Sequence, residues 1–484
     1  MRLRRILILL TSLAIFSCTT LTASIAVYVG KNLTKDGSVL LGGYGDEPSS
    51  HWLEIVPRRQ HAPGSTITVG ATAQSNYPGR LIKIPQAEET FKFITMNYSY
   101  YAGFPAPQTN GGMNEHHVAA RDVALLSRPE LARMTPNPQQ GPNYSDLSRI
   151  AMERAKTARD AAEIVGRLID EHGYSTYGGN SHVFADPNEG WVLLNFAGGQ
   201  GLWIAKRLGP DDILLNWRAQ GGIGYIQDIP SNLDQDEDYM ASKNFIRFAV
   251  QRGWYDPKSD KPFNVIKIYC RGVGHGEEVE KAHKTLHQLA PHVTVKDVKR
   301  IVRASSRDSS GYGQVAHLRS GIHSDLGVLW CAPASPLTAP FIPHRVGIGD
   351  IPPEFKRHRY LTAGEASREV IDPADLGLES TRYAFRACKR LYYLAAAHRK
   401  QFLPEVTQAL EAFEDRLLEE QETVERTALK LLEAGERELA HRYLTYYSQT
   451  EAGTGLRLVE ALAESLEART KVLFGIGAPD DQSE

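Results

Sequence analysis

The chain has 484 residues, with 55 lysines and arginines against 57 aspartates and glutamates, so its formal net charge is only −2. This balance offers no electrostatic basis for binding nucleic acid or an anionic membrane surface. Hydrophobic residues make up 42% and charged residues 23%, a composition typical of a globular protein long enough for two domains. We therefore expect a small molecule as the partner, and neither nucleic acid nor membrane lipid.

The first residues are typical of an export signal. Arg2, Arg4 and Arg5 precede an apolar run at residues 6–16, which is too short to span a bilayer. This pattern predicts a signal peptide at residues 1–23 and a protein exported to the periplasm or the outside of the cell.

Two ends of this signal remain open. Cleavage after Ala23 would leave Ser24 as the first residue of the mature chain. Alternatively, residues 15–18 resemble a bacterial lipobox, in which Cys18 would carry a lipid anchor. Phe16 fits a lipobox poorly, so cleavage after Ala23 is the preferred prediction.

The mature chain would keep three cysteines, Cys270, Cys331 and Cys388. They form no CxxC pair, and both one disulfide with a leftover thiol and three buried free thiols fit the sequence. The histidine-rich stretches at residues 114–117 and 283–287 lack zinc-ligand spacing with a third ligand. We predict no metal and no cofactor.

The pattern after Ser24 indicates strands, then a helix, then strands again. Residues 25–29 and 39–41 predict a hairpin with its turn at Asp36-Gly37, and glycines at 42, 43 and 45 allow another group to approach closely. A helix is predicted at 145–172, with Ser145 as N-cap. Further strands are predicted at 182–185, 190–194, 202–206 and 213–217. This order favours a layered α+β domain.

The later part of the chain becomes helical. A helix at 295–305, capped by Thr294, is followed by strands at 315–318 and 326–330 and by a proline-rich segment at 332–353. Amphipathic patterns at 403–417 and 456–466 predict long helices that pack on their own chain rather than in a coiled-coil dimer. The predicted organisation is a signal peptide at 1–23, a catalytic-type domain at 24–345, a linker at 346–379, a helical region at 380–475 and a tail at 476–484.

A chain that begins at Ser24 would carry a hydroxyl and a free α-amine on one residue. A serine hydroxyl is a poor nucleophile until a base takes its proton. An α-amine, with an unperturbed pKa of about 7.7–8.0, is a base suited to neutral pH. Ser24 could also be an ordinary first residue of an exported strand.

Five segments, in this order, resemble the dipeptidase family of N-terminal-nucleophile hydrolases, which also includes the secernins. They are VGKNLTKDGS (29–38), GGMNEHHVA (111–119), GGNSHVFADPNEGWVLL (178–194), WIAKRLGPDD (203–212) and VAHLRSGIHSDLGVLW (315–330). The resemblance implies a four-layer αββα sandwich, with a helical C-terminal region, and cleavage of dipeptides or related amides.

The family's nucleophile is an N-terminal cysteine five residues before the valine of the VGK strand, a position that Ser24 occupies here. Cys18-Thr19-Thr20 resembles the family's Cys-Thr-Thr start but stands eleven residues before Val29. A strand paired in a sheet cannot shift by six residues without a bulge or loop, so Ser24 is preferred and Cys18 is the alternative.

The resemblance also implies roles for other residues. Asp46 matches the aspartate that orients the amine, and Gly43 stands where the family has an arginine, which puts substrate-carboxylate recognition and activity in doubt. Asn114 and Asn180 resemble the asparagines that position the amine and form the oxyanion hole. Arg319 resembles a late arginine of the site and is the predicted substrate-binding residue.

Three functions fit these observations. The first is a secreted dipeptidase-like hydrolase that works from Ser24. The second is an acylase or amidase on the same scaffold, which the glycine at position 43 would explain. The third is a catalytically silent exported binding protein, in which Ser24 and Gly43 stand where catalytic residues of the family have been lost.

Overall fold

The computed structural model describes residues 24–475 with gaps at 48, 50, 100–101, 218–221, 231, 272–275 and 357–381. The predicted signal peptide, Cys18, most of the predicted linker and the predicted tail at 476–484 lie outside the described residues. Within the described residues, no helix is both long and apolar enough to cross a membrane.

The strands of the described chain are numbered in order. They are β1 (Ile25–Val29), β2 (Val39–Gly45), β3 (His51–Val56), β4 (Arg59–Gln60), β5 (Thr66–Gly70), β6 (Leu81–Pro85), β7 (Glu89–Thr90), β8 (Phe93–Tyr98), β9 (Gln108–Asn114), β10 (Ala119–Ala124), β11 (Gly179–Ala185), β12 (Gly190–Phe196), β13 (Trp203–Leu208), β14 (Ile213–Trp217), β15 (Gly222–Ile223), β16 (Asp228–Ile229), β17 (Tyr239–Ala241), β18 (Phe263–Asn264), β19 (Tyr312–Leu318), β20 (Val328–Ala332) and β21 (Ile342–Arg345).

The helices of the described chain are numbered likewise. They are α1 (Pro129–Ala132), α2 (Tyr144–Arg154), α3 (Ala158–His172), α4 (Phe245–Gln251), α5 (Val265–Tyr269), α6 (Glu277–Leu289), α7 (Val295–Ser305), α8 (Pro353–Lys356), α9 (Ala384–Ala397), α10 (Arg399–Glu433) and α11 (Arg437–Phe474).

Two antiparallel sheets form the centre of the molecule. Among the described residues, one has seven strands in the order β15-β14-β1-β2-β19-β20-β21, and the other has eight in the order β17-β13-β12-β11-β10-β9-β8-β3. Apolar side chains of both sheets share one buried core, and the other face of each sheet is covered by helices. Because both faces are covered, every residue of β1 and β2 is buried.

The covering helices complete a four-layer order. Helices α2 and α3 pack on the eight-stranded sheet, whereas α6 and α7 pack on the seven-stranded sheet. Helices α9, α10 and α11 pack on one another, and α10 and α11 also contact β21 at the edge of that sheet. The αββα architecture and the helical C-terminal region predicted from the sequence are confirmed.

The single helix predicted at 145–172 is wrong, because the chain forms two helices there. Ala155 is extended, and the Thr157 side chain accepts a hydrogen bond of 3.0 Å from the Asp160 backbone N–H, which caps α3. Asn143, not Ser145, caps α2. The Thr-x-x-Asp spacing is a start signal that the continuous apolar stripe concealed. By contrast, the helix at 295–305 with its Thr294 cap is confirmed.

All three described cysteines, Cys270, Cys331 and Cys388, are buried free thiols. Burial raises the pKa of each thiol above its usual range. Of the two possibilities left open by the sequence, the structure therefore has no disulfide among them.

A buried ion network joins α7 to α10. The Glu414 carboxylate lies 3.2 Å from Lys299 Nζ, accepts a bond from Arg303, and accepts a 2.9 Å bond from the Phe341 backbone N–H. All three charged side chains are buried. These contacts fix the C-terminal helices to the helix layer behind the seven-stranded sheet.

We predict that Glu414→Ala lowers the free energy of unfolding by about 3–5 kcal/mol, because two buried cations lose their counter-ion. Chemical denaturation would measure the loss. Glu411→Ala is the matched control, since Glu411 also pairs with α7 but through the half-exposed Arg300, at 2.7 Å. There we expect a loss of about 1 kcal/mol or less; equal losses in both variants would contradict the assignment.

Candidate active site

Ser24 immediately precedes β1, an inner strand of the seven-stranded sheet. Strand β1 is paired on both sides, with β14 and with β2. Because the β1–β2 register places Ile25 opposite Tyr44, the end of β2 brings Asp46 next to Ser24. The Asp46 backbone N–H donates a 3.2 Å bond to Ser24 Oγ, and the Ser24 side chain is buried. The two predicted residues are therefore in contact.

The Asp46 carboxylate is only half satisfied. Its Oδ1 accepts bonds from the hydroxyls of Ser309, at 2.6 Å, and Ser310, at 3.5 Å, whereas its buried Oδ2 has no hydrogen-bond partner among the described residues. Burial raises the pKa of Asp46 to about 6, against the opposing effect of the Ser309 bond.

Glu47, the next residue, is a second buried carboxylate at the same place. Burial raises its pKa to about 7, although the Arg121 charge and the polar side chains of Asn110 and Ser24 oppose the shift. Its Oε2 has no hydrogen-bond partner among the described residues and lies 3.7 Å from His51 Nε2.

His51 is neutral beside this carboxylate. Its Nδ1 lies 2.7 Å from the Ser49 carbonyl oxygen, which can only accept, so Nδ1 carries the hydrogen. Burial lowers the pKa of His51 to about 3. Nε2 is therefore a bare acceptor facing Glu47, and the two residues do not form an ion pair.

Arg121 of β10 crosses from the eight-stranded sheet into this site. Its Nε lies 3.2 Å from the Ile25 carbonyl oxygen, and its other nitrogens donate to the Tyr44 carbonyl and the Tyr312 hydroxyl. A Cβ on Gly43 would lie 2.9 Å from Arg121 Nε and 2.1 Å from the Ile25 oxygen. The glycine at position 43 therefore leaves space that a guanidinium from another strand occupies.

Asn180 is buried on β11, and its carbonyl oxygen accepts a 2.6 Å bond from the Tyr177 hydroxyl. Its amide nitrogen lies 3.2 Å from His182 Nε2. Its oxyanion role stays a prediction.

Asn114 has a structural position instead of the predicted catalytic one. Its amide donates to the carbonyls of Met152, at 3.0 Å, and Ala155, at 2.8 Å, at the end of α2. Its own oxygen accepts from two backbone N–H groups of the β9–β10 turn. No side-chain N–H remains for an oxyanion. The asparagine that reaches the site is Asn110, four residues earlier on β9.

Arg319 is also placed elsewhere. It follows β19, whose first residue, Tyr312, pairs with Gly45 near Ser24 and whose last residue, Leu318, pairs with Val39. At about 3.4 Å per residue, Arg319 lies about 24 Å along the strand from the site. Its guanidinium binds both oxygens of Glu425 on α10, at 2.7 and 2.9 Å. The predicted role in substrate binding is therefore corrected to anchoring a C-terminal helix.

The site holds more negative than positive charge. Asp46, Glu47 and Asp122 are buried, and burial raises the pKa of Asp122 to about 7, as it does that of Glu47. Each carboxylate has one oxygen with no hydrogen-bond partner among the described residues. The Arg121 charge lowers the pKa of Glu47 and Asp122, and the Arg307 charge lowers that of Asp46. Buried carboxylates in this state can accept an ammonium group. Among the described residues, no group of three His, Cys, Asp or Glu side chains is placed to hold a metal ion.

A cavity of about 300 Å³ opens beside Tyr177 and Gly178. Its wall includes Arg133 and Arg271, and no acidic side chain is among the described residues that line it. Since Tyr177 bonds Asn180, the cavity lies beside this predicted site residue. It offers a space of dipeptide size with a positively charged wall.

Comparison with known proteins identifies the family. A sequence model described as peptidase family C69 matches residues 17–301, more than half of the chain.

Curated relatives match at low identity. A probable dipeptidase B from Streptococcus pyogenes serotype M3 is 24% identical over 249 residues, which cover 50% of this chain and 45% of that protein. A dipeptidase from Bifidobacterium longum is 24% identical over 244 residues, covering 48% of this chain and 42% of that protein. The matched segments span less than half the length of these relatives.

Among solved structures, a mutant of the conjugated bile acid hydrolase from Clostridium perfringens aligns with a TM-score of 0.33 and 11% identity, covering 64% of this chain and 89% of the other. A second variant of the same hydrolase aligns with a TM-score of 0.30 and 9% identity, covering 72% of this chain and 99% of the other.

We predict that Glu47→Gln raises the free energy of unfolding at pH 8 and has little effect on it at pH 5. The folded-state pKa of Glu47 is about 7, above the usual 4.5, so the folded protein binds more protons between these values. Its contribution to the free energy of unfolding therefore falls as the pH rises through this window. Glutamine removes that dependence.

One pKa unit corresponds to about 1.4 kcal/mol. We therefore expect the substitution to change the free energy of unfolding by about 2 kcal/mol more at pH 8 than at pH 5. Urea unfolding of both proteins at both pH values would measure it. The same effect at pH 5 and pH 8 would contradict a raised pKa at Glu47.

Proposed function

Because the chain belongs to peptidase family C69, we propose that it hydrolyses small peptides or related amides, with Ser24 as the nucleophile. In this proposal the protein is exported, and removal of residues 1–23 frees the α-amine of Ser24. The observation that carries the proposal is the 3.2 Å bond from the Asp46 backbone N–H to Ser24 Oγ, which places Ser24 beside the buried residues Asp46 and Glu47. Each of their carboxylates keeps one oxygen without a hydrogen-bond partner among the described residues.

A free α-amine would correct the charge imbalance of the site. It would be attached to the residue whose hydroxyl already accepts a bond from the Asp46 backbone N–H. An ammonium there would give the open oxygen of Asp46 a partner, which is the orienting role predicted for that residue. In its neutral form, the same amine is a base near physiological pH.

The mechanism follows from this arrangement. Ser24 Oγ attacks the carbonyl carbon of the scissile bond, and its proton passes to the α-amine directly or through one water. Asn180 is the proposed donor to the oxyanion. The C–N bond then breaks, and the leaving amine takes the proton. Water finally hydrolyses the ester between the acyl group and Ser24, which frees the hydroxyl again.

The cavity beside Tyr177 supports a small anionic substrate. Arg133 and Arg271 on its wall could bind the carboxylate of a peptide or of an N-acyl amino acid. The two arginine positions that the sequence analysis considered do not serve this purpose, because position 43 is glycine and Arg319 binds Glu425. This shift favours acylase or amidase activity as the second candidate, and parallel assays with dipeptides and N-acyl amino acids would separate the two.

We predict that the protein recovered from the cell envelope of a host that exports it starts at Ser24. Intact mass and N-terminal sequencing should give a chain of 461 residues, that is 484 minus 23, with a free amine. A chain that starts at a lipidated Cys18 would refute the mechanism, since Ser24 would then lie inside the chain, and would favour a tethered binding protein.

We predict that Ser24→Ala lowers kcat/KM on small peptides by about 10³-fold or more, because no other group can form the acyl-enzyme. Ser24→Cys should keep measurable activity, since a thiolate is also a nucleophile and fits the same position. Both variants need the same processed start and the same unfolding curve as the native chain. Full activity of Ser24→Ala would exclude the assigned nucleophile.

A further inference from the structure

The eight-stranded sheet has an open edge at β17. This strand pairs with β13 on one side and with no strand of the described residues on the other. At the opposite end of the same sheet β3 contacts α8, and at one end of the other sheet β21 contacts α10 and α11. An unpaired edge is a template on which another strand can pair, and proteins commonly cover it for that reason.

The register of the β13–β17 pair shows which backbone groups of β17 point outward. Just before the strand, the Arg207 N–H donates a 2.8 Å bond to the Asp238 carbonyl. Hydrogen-bonded positions alternate along an antiparallel pair, so Met240 forms the next bonds to β13. Tyr239 and Ala241, the residues on either side of Met240, therefore direct their backbone groups away from β13.

Three of these outward groups are open. The Tyr239 N–H donates a 3.2 Å bond to the Asp236 carbonyl. The Tyr239 carbonyl and both backbone groups of Ala241 form no hydrogen bond among the described residues. One residue of an added strand, placed beside Met240, would donate to the Tyr239 carbonyl and accept from the Ala241 N–H. This is the bonding pattern of a parallel strand pair.

A groove of about 780 Å³ lies between this edge and α3. All three residues of β17 line it, and its wall on α3 extends from Arg159 to Glu171. That part of the helix is about 18 Å long at 1.5 Å per residue. An extended chain of about five residues spans the same length. The groove therefore has room for a short peptide strand beside β17.

Apolar side chains form part of the groove surface. Trp203 lines the groove and is itself buried, and its indole N–H donates a 2.8 Å bond to Asp170 of α3. Leu233 and Met240 also line the groove and are half-buried. Successive side chains of a strand point to opposite sides, so a peptide with an apolar side chain at every second residue could place those side chains on this surface.

The groove carries a negative charge. Its described lining includes two arginines, of which Arg159 pairs with Glu163 at 2.9 Å. Five acidic side chains line it, namely Glu163, Asp170, Glu171, Asp236 and Glu237. This excess attracts a cationic ligand. It opposes the pairing of two copies of the chain at this edge, since their acidic side chains would face one another.

We propose that the groove between β17 and α3 is a docking site for an extended peptide segment in which lysine or arginine alternates with apolar residues. The peptide adds to the edge of β17 through backbone hydrogen bonds, which supply affinity without reading sequence. Its apolar side chains contact Trp203 and Met240, and its cationic side chains lie near the acidic residues of the groove.

This docking site is separate from the site at Ser24. Strand β17 is four strands away from β10, which carries Arg121. At about 4.8 Å per strand, the two strands are about 19 Å apart. The inference therefore goes beyond the proposed function and does not depend on it.

The test measures binding of a peptide of known sequence to the protein recovered from an exporting host. The probe is a fluorescently labelled peptide with the sequence Lys-Val-Lys-Val-Lys and blocked ends, and fluorescence anisotropy follows its binding. The peptide Glu-Val-Glu-Val-Glu, labelled and blocked in the same way, tests the charge preference. Mass spectrometry checks that neither peptide is cleaved during the measurement.

Two pairs of variants separate the backbone bonds from the charges. Ala241→Pro removes the outward N–H, which an edge strand tolerates, and leaves every charge in place. Ala241→Ser keeps that N–H and is the matched control. Glu237→Lys reverses one charge of the groove, and Glu419→Lys makes the same change at an exposed position of α10 outside the groove. An unfolding curve for each variant shows whether it is folded.

We expect saturable binding of the lysine peptide and binding of the glutamate peptide that is weaker by about tenfold or more. Ala241→Pro should weaken binding of the lysine peptide by about tenfold, because a backbone bond is lost and the proline ring obstructs the edge. Glu237→Lys should weaken it by about threefold or more, and less at high salt. Both control variants should bind as the native chain does. Bound peptide should also slow hydrogen exchange of the Ala241 amide.

Three results would overturn the inference. The first is no binding of the lysine peptide at concentrations up to about 1 mM. The second is binding that a folded Ala241→Pro protein keeps in full, which would place the peptide elsewhere, for example near Ser24. The third is a dimer, seen by light scattering, that Ala241→Pro dissociates, because the edge would then serve a second copy of the chain. If Ala241→Pro does not fold, unchanged exchange of the Ala241 amide in the native chain with bound peptide would exclude the site.

Discussion

The organisation of the site depends on one electrostatic constraint: buried carboxylates surround Ser24, and one buried guanidinium opposes them. Asp46 and Glu47 follow the end of β2 directly, and the register of the β1–β2 pair places Asp46 against Ser24, the residue that precedes β1. Arg121 reaches the same point from the second sheet. The two sheets must therefore stay packed in one relative position for the charges to meet. The core between the sheets acts on function through this requirement.

The glycines of β2 are explained by the same constraint. Gly43 leaves room for the Arg121 side chain against the Ile25 carbonyl, and Gly45 leaves room for the Glu47 carboxylate. A side chain at either position would push one of the charged groups out of the site. The missing arginine at position 43, which taken alone suggested lost function, is thus accompanied by a guanidinium that arrives from a different strand. A guanidinium can therefore occupy this space although it comes from a different position in the sequence.

Local pattern explains which parts could be predicted. The hairpin and the Thr294 cap follow from alternation and from turn and capping residues, which are properties of short segments. The αββα layers and the position of Asp46 beside Ser24 were implied by the family resemblance. Asn114 and Arg319 were misplaced because a motif does not tell whether a side chain faces the site or a neighbouring helix. Arg121 could not be found, since its partners lie on another sheet.

The raised carboxylate pKa values imply that the site weakens the folded state at neutral pH, where the unfolded chain would be fully ionised. The structure offsets this with interactions far from Ser24. Glu414 and Glu425 on α10 bind buried or half-buried cations of α7 and of the seven-stranded sheet, and so tie the C-terminal helices to the sheet that carries β1. Those helices therefore affect the site through the stability of the sheet, without contributing a residue to it. By stabilising the sheet, they allow carboxylates to remain buried near Ser24, where the loss of hydration raises their basicity.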